Sequence, residues 1–199
     1  MARTAAPNAR ERVLLAAGGL FYAHGIRAVG MQQIIDAAGC GKNLVYGHFP
    51  SKNDLVAGYL EAVATSRVRS AGRAVRQAGD DPREQLVAMV AQIAADVRGE
   101  AQRGCAVRNY LVEFPDADAE TDPAARVARH FITTTHAEVD KLAERVVVQH
   151  ESAGPARDLA DAVMLLIDGL YGSAGRPDAV RAGAAAVSMS RKLVGLADE

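Results

Sequence analysis

The chain has 199 residues, 49% hydrophobic and 24% charged, with a formal net charge of −1. That is enough for one good core, or a core plus a small appended domain, in an ordinary soluble globular protein. No apolar run approaches the roughly 20 residues needed to cross a bilayer. No signal-type segment follows the basic N-terminus, so a cytoplasmic protein without membrane association is expected. Cys40 and Cys105 are too few and too far apart for a disulfide framework or a metal cluster, and no metal or cofactor is expected. The near-zero charge hides an asymmetry. Residues 1–76 carry 10 Lys/Arg against 4 Asp/Glu, and residues 77–199 carry 13 against 20. A basic first third on an acidic remainder is what a DNA-binding segment fused to a non-DNA-binding one requires.

In chain order, residues 1–8 read as an arm in which Arg3, with Arg10 just beyond, is within reach of phosphates. Asn8 followed by Glu11 predicts a capped helix start. Val13, Leu14, Ala17, Leu20 and Phe21 form its inner face, and Gly25 ends it. Met31, Ile34, Ile35 and Ala38 lie at i, i+3, i+4 and i+7, one face of a second helix. Gly39 sits where a left-handed residue closes such a helix. Leu44, Val45 and Phe49 give the next helix its apolar side, leaving Lys42, Asn43, Tyr46 and His48 to face outward. Two helices across a tight, Gly-containing turn predict a helix-turn-helix whose second helix can enter a major groove. Ser51 with Asp54 predicts the start of a longer helix running toward Gly79. Arg67, Arg69, Arg73 and Arg76 along it read as a solvated face. Lys52 in its first turn opposes the helix dipole, which argues against a structural role.

Asp81-Pro82 starts another helix, with Leu86, Met89, Val90, Ile93 and Val97 as its stripe. A short helix follows Gly104-Cys105 and carries Asn109, Tyr110 and Glu113. Asn109 and Glu113 share a face, either as polar anchors of a pocket or as caps and solvent-facing groups. An acidic loop over residues 115–122 precedes a long helix from Pro123 to about Glu151. Its His130 and His136 lack the spacing of a helical metal pair. A helix from Ala156, apolar on more than one side, and a small-residue helix from about Pro177 to Leu196 complete an all-α chain.

The stretch from about Arg10 to Leu60 resembles the N-terminal domain of the TetR family of bacterial transcriptional repressors. The matching residues are Ala16-Ala17, Leu20-Phe21, Gly25, Ile34, Ala38-Gly39, Lys42, Tyr46, His48-Phe49, Lys52 and Leu55. The chain departs from the family pattern at Gly30, Gly41 and Gly47, which carry no side chain, and at Ile35, where a small residue is usual. The resemblance implies a three-helix helix-turn-helix DNA-binding domain over residues 1–50 and a helical effector-binding and dimerisation domain over 51–199. The last two helices would pair as a four-helix bundle between two subunits.

It further implies a homodimeric repressor that binds a palindromic double-stranded DNA operator and is released by a small-molecule effector. Lys42, Tyr46, His48 and Lys52 are expected to contact phosphates. Asn43 and Leu44 would meet base edges, since Asn pairs with adenine and an apolar group with the thymine methyl. The effector is expected among Met89, Ile93, Asn109, Glu113, Phe131, Met164, Asp168 and Tyr171, apolar stripes interrupted by a few polar groups. Two other functions stand as alternatives. A redox-responsive regulator would sense through Cys40, beside a helix N-terminus and Lys42. A helical enzyme has no supporting motif: neither a nucleophile elbow, nor a zinc-binding helix, nor a phosphate-cradling loop.

Overall fold

The structure, a computed structural model, describes residues 8–98, 103–150 and 154–197. The expected role for Arg3 lies outside the described residues. Among those described the chain is all-helical: α1 (Ala9–His24), α2 (Met31–Ala38), α3 (Lys42–His48), α4 (Lys52–Gln77), α5 (Pro82–Asp96), α6 (Ala106–Glu113), α7 (Pro123–Gln149), α8 (Ala156–Ser173) and α9 (Ala179–Leu193). No helix among them is long and apolar enough to cross a membrane.

The chain divides into two compact units, but not at residue 50. The first comprises Met1–Ala64 with Ala106–Arg129, and the second Thr65–Cys105 with His130–Glu199. Helices α4 and α7 each begin in the first unit and end in the second. Because α6 and the acidic loop belong with the helix-turn-helix, the charge asymmetry along the sequence does not follow the units. The first unit carries nine Lys/Arg and nine Asp/Glu, the second 14 and 15.

The helix starts of α1, α3 and α4 in the first unit have local causes. Asn8 Oδ1 accepts from the Glu11 amide at 2.9 Å while the Glu11 carboxylate accepts from the Asn8 amide at 3.0 Å, a reciprocal cap that satisfies two orphan donors. Ser51 and Asp54 repeat the arrangement at α4. At Gly39 the backbone turns left-handed, with φ of +60°, which closes α2 and allows α3 to start three residues later. Helix α1 packs on α2 and α3. Val13, Ala17, Phe21, Ile34, Val45, Phe49, Leu55 and Tyr59 are buried, and the rings of Phe21 and Tyr59 lie 5.7 Å apart. Packing here is close. A Cβ at Gly58 would lie 3.1 Å from the Phe49 ring and 3.3 Å from Leu14, and one at Gly18 would lie 3.2 Å from Tyr59.

In the second unit α5 packs against α8 and α9, and α8 against α9. The core runs through Leu86, Val90, Ile93, Leu142, Val146, Val163, Ile167 and Leu170. Asp81 caps α5 by accepting from the Arg83 amide at 2.9 Å, with Pro82 in the first turn. Helix α9 is shorter than expected: Pro177 and Asp178 lie in the preceding turn.

Candidate nucleic-acid interface and a cavity

Helix α3 buries one side and offers the rest. Val45 is its one buried residue, held with neighbouring Phe49 against the first unit's core. Lys42, Asn43, Leu44, Tyr46, Gly47 and His48 are all exposed. The Lys42 ammonium lies 5.8 Å from the centre of the Tyr46 ring, one turn away on the same face, so the two side chains orient each other. Arg10 lies over the Phe49 ring at 5.3 Å. The glycines that depart from the family pattern are compatible with the helices. Gly30 precedes α2 and its amide is capped by the Gln33 side chain at 2.7 Å. Gly41 caps α3 with backbone alone.

Lys52 sits differently from the five α3 residues. It is half-buried, and it lines a cleft of about 360 Å³ with Ile26, Arg27, Asn53, Val56, Tyr110, Phe114 and Asp122. Burial pushes the Lys52 ammonium below its usual range, against the opposing pull of the Glu113 carboxylate. Lys52 thus lies in the field of a carboxylate brought in from α6, but burial outweighs that attraction.

Glu113 is the group whose role differs most from expectation. Its carboxylate accepts from the backbone amides of Ile26 and Arg27 at 3.0 and 2.5 Å, the turn that follows Gly25. Gly25 has φ of +86°, and a Cβ there would meet the Glu113 oxygens at 3.5 Å. The Arg27 guanidinium lies over the Phe114 ring at 4.7 Å. Glu113 thus fixes the α1–α2 turn within the first unit and is not a pocket anchor, because α6 ends against that turn.

Asp122 is a second junction of the same unit. It accepts from the Tyr110 hydroxyl at 2.7 Å, the Asn53 amide group at 3.0 Å and the backbone of Ala124 and Ala125 at 2.8 and 3.2 Å. Burial acts to raise its pKa, but these hydrogen bonds outweigh it and hold the carboxyl below the usual carboxylate range.

The second unit contains a cavity of about 520 Å³ between α4, α5, α7 and α8. Of the eight expected effector residues, Met89, Ile93, Phe131 and Tyr171 line it. The other four do not. Asn109 is exposed on α6 and Glu113 holds the α1–α2 turn, both in the first unit. Met164 is packed into the core, and Asp168 is exposed. Sequence reasoning missed the polar members. Arg67 pairs with Asp96, whose carboxylate also accepts from Gln92 at 2.9 Å. Burial opposes the charge on Arg67, but the Asp96 carboxylate raises its pKa overall. Thr134, Thr135, Glu138 and Lys141 come from α7, and Arg69 and Arg76 from α4. A signal existed: Met89, Gln92, Ile93 and Asp96 fall at i, i+3, i+4 and i+7 on α5.

Cys40 is buried, with its Sγ 3.6 Å from an Arg12 nitrogen and 3.4 Å from the Ala38 carbonyl oxygen. Such burial runs against the accessible thiolate a sensor requires. No group of three metal-ligating side chains occurs among the described residues.

Residues 13–59 match the family described as bacterial regulatory proteins, tetR family. A curated relative, the HTH-type transcriptional activator FasR of Mycolicibacterium smegmatis, is 36% identical over 81 residues. That stretch is 41% of this chain and only 36% of the relative. Among solved structures, a TetR-family transcriptional regulator from Streptomyces coelicolor superposes with a TM-score of 0.83 at 24% identity, over 94% of both chains. A TetR-family regulator from Agrobacterium tumefaciens does so at 0.77 and 20% identity, over 92% of this chain and 96% of its own. At these identities the structural likeness is one of fold.

Proposed function

We propose that the chain is a member of the TetR family of bacterial regulatory proteins and acts as a homodimeric, ligand-responsive transcriptional regulator. In this reading α3 enters the major groove of a palindromic operator. The observation that carries it is the outward face of α3: five polar or apolar side chains of groove-reading type exposed on a helix whose Val45 and Phe49 are locked in the core. Asn43, in the first turn, reads a base edge, since its amide donates and accepts together as adenine requires. Leu44 supplies an apolar contact. Lys42, Tyr46 and His48 bind phosphates and set the register. Lys52 keeps a weaker phosphate role, because Glu113 already offsets part of its charge.

Dimerisation is supported by a continuous exposed strip on α8 and α9. Leu165, Gly169 and Gly172 lie on the outer side of α8, and Val180, Ala184, Ala185, Met189 and Leu193 repeat at helical spacing along α9. Leu165 is 73% exposed and Val180 61%, on a strip where close-packing small residues alternate with large apolar ones. Replacing Ala185 by Arg puts an unpaired charge in that seam. We expect sedimentation to show a monomer, or a dimer weakened at least tenfold. A fully dimeric, folded variant contradicts the assignment.

The effector site is the cavity lined by Met89, Ile93, Phe131 and Tyr171, whose size falls within the usual range for small-molecule pockets. The sign of regulation depends on where the operator lies relative to the promoter. Repression is the expected outcome when the dimer covers it, and the curated relative is named an activator. The defining experiment is selection of bound DNA from a random pool, followed by affinity measurement on the recovered site. Recovery of a two-fold symmetric motif, with half-sites about one helical turn apart or more, is the expected result. Recovery of no enriched motif contradicts sequence-specific binding.

A further inference from the structure

We propose that the cavity of the second unit takes an apolar anion: a hydrocarbon body, aromatic or aliphatic, carrying a single carboxylate, sulfonate or comparable group. This rests on the reading of that cavity as the effector site and assigns its ligand class. The inner walls are apolar, with Met89, Ile93, Phe131 and Leu142 all buried and facing the space. A rigid hydrophobic body gains from leaving water there.

The charges around these walls are unequal. Arg67 and Asp96 cancel as an ion pair, and Gln92 donates to the same carboxylate, so this polar corner is already satisfied within the protein. The remaining charged lining is Arg69, Arg76 and Lys141 against Glu138 alone. Over the whole second unit, cations and carboxylates number 14 and 15, so the positive excess is local to the cavity.

Arg76 adds geometry to the count. Its guanidinium folds back along α4, with one nitrogen 3.3 Å from where a Cβ of Gly72 would stand. Gly72 leaves the wall open at that point and lets the cation lie beside the space. A cationic ligand meets three like charges and one carboxylate. A neutral molecule of the same shape keeps the wall contacts and loses the attraction. The anion alone uses both features of the site.

The test uses the full-length protein and two fluorescent probes sharing one skeleton. Anilinonaphthalene sulfonate is an apolar anion; N-phenylnaphthylamine is the same framework without the sulfonate. Each is titrated into the wild type, an Arg76→Gln/Lys141→Gln double variant and Gly72→Leu, with circular dichroism melts to verify folding. The expected result is at least tenfold tighter binding of the anion by the wild type. The double variant should bring the two probes within about threefold of each other. Gly72→Leu, which fills the space, should weaken both.

Equal affinities in the wild type, or an unchanged preference in the double variant, would overturn the anion assignment while leaving the cavity as the ligand site. Two other outcomes remove the cavity reading itself and the proposal with it: binding of neither probe, or folded Gly72→Leu binding both as the wild type does.

Discussion

Two glycines fourteen residues apart on α4 separate the two kinds of packing in this chain. Gly58, in the first unit, is pressed against the Phe49 ring and Leu14, and Phe49 is itself held under Arg10. Gly72, in the second unit, faces the cavity, and the one atom near its missing Cβ is the far end of the Arg76 side chain. The same residue on the same helix thus serves close approach in one place and open space in the other. A unit that presents a fixed face to a groove needs its helices wedged. A unit that admits a small molecule needs room that its own side chains leave open.

Substituting Leu at each position is the most forceful way to break this contrast. Gly58→Leu should destabilise by about 1–3 kcal/mol through overpacking and weaken DNA binding with it. Gly72→Leu should be neutral or stabilising by up to about 1 kcal/mol, since Gly is a poor helix residue. Urea unfolding of both variants measures the difference. If both lose stability equally, the two sites are packed alike and the contrast fails.

Glu113→Gln probes how the first unit is held together. The neutral amide cannot serve two backbone donors as a carboxylate does, and hydrogen bonds to a charged acceptor contribute about 1.5–3 kcal/mol when well formed. Partial exposure of Glu113 places the expected loss near the lower end of that range. Hydrogen exchange at the Ile26 and Arg27 amides should accelerate selectively, while amides of α5 and α9 remain protected. Uniform acceleration across both units would mean that Glu113 contributes to global stability and not to this turn.

The smallest expected effect is a dependence on acid. Asp122 in the first unit is held below the usual carboxylate range by its hydrogen bonds, and in the second the Arg83 side chain draws Asp81 down to about 2. A carboxyl with a depressed folded pKa contributes stability above its unfolded value and loses it as pH falls through the folded one. Stability should therefore be nearly constant from neutral pH to about pH 5 and decline below about pH 4. Asp122→Asn should flatten part of that decline. A melting temperature that rises on acidification to pH 3 would contradict the sign.

The helix-turn-helix was legible residue by residue because its signals are local. Asn8 with Glu11, Gly39, and Ser51 with Asp54 each specify a boundary within four residues, and α3 runs from Lys42 to His48 as its periodicity indicates. The cavity was legible only in part, because four helices far apart in sequence must be correctly phased to form it. Met89, Ile93, Phe131 and Tyr171 could be chosen from apolar stripes. Asp168 and Met164 lie three and seven residues before Tyr171 and so share its side of α8, yet Met164 is buried in the core and Asp168 is exposed. The polar residues Arg67, Gln92 and Asp96 were invisible to a search for apolar faces. Glu113 eluded the reading for another reason: its partners are backbone amides 86 and 87 residues earlier, and amides carry no sequence signature. The unit boundaries failed likewise, since α6 returns to the first unit by tertiary contacts alone.

The most direct test of the central claim, that α3 reads DNA through its outward face, is the affinity of Asn43→Ala for the selected operator and its single-base variants across a salt series. The reading predicts a loss of preference at one base pair per half-site worth about 1–3 kcal/mol, with an unchanged salt slope. Lys52→Ala, measured alongside, should weaken all sequences alike and lower the slope by no more than about one per subunit. An Asn43→Ala protein that keeps its full base preference, or loses affinity evenly at every sequence, would contradict it.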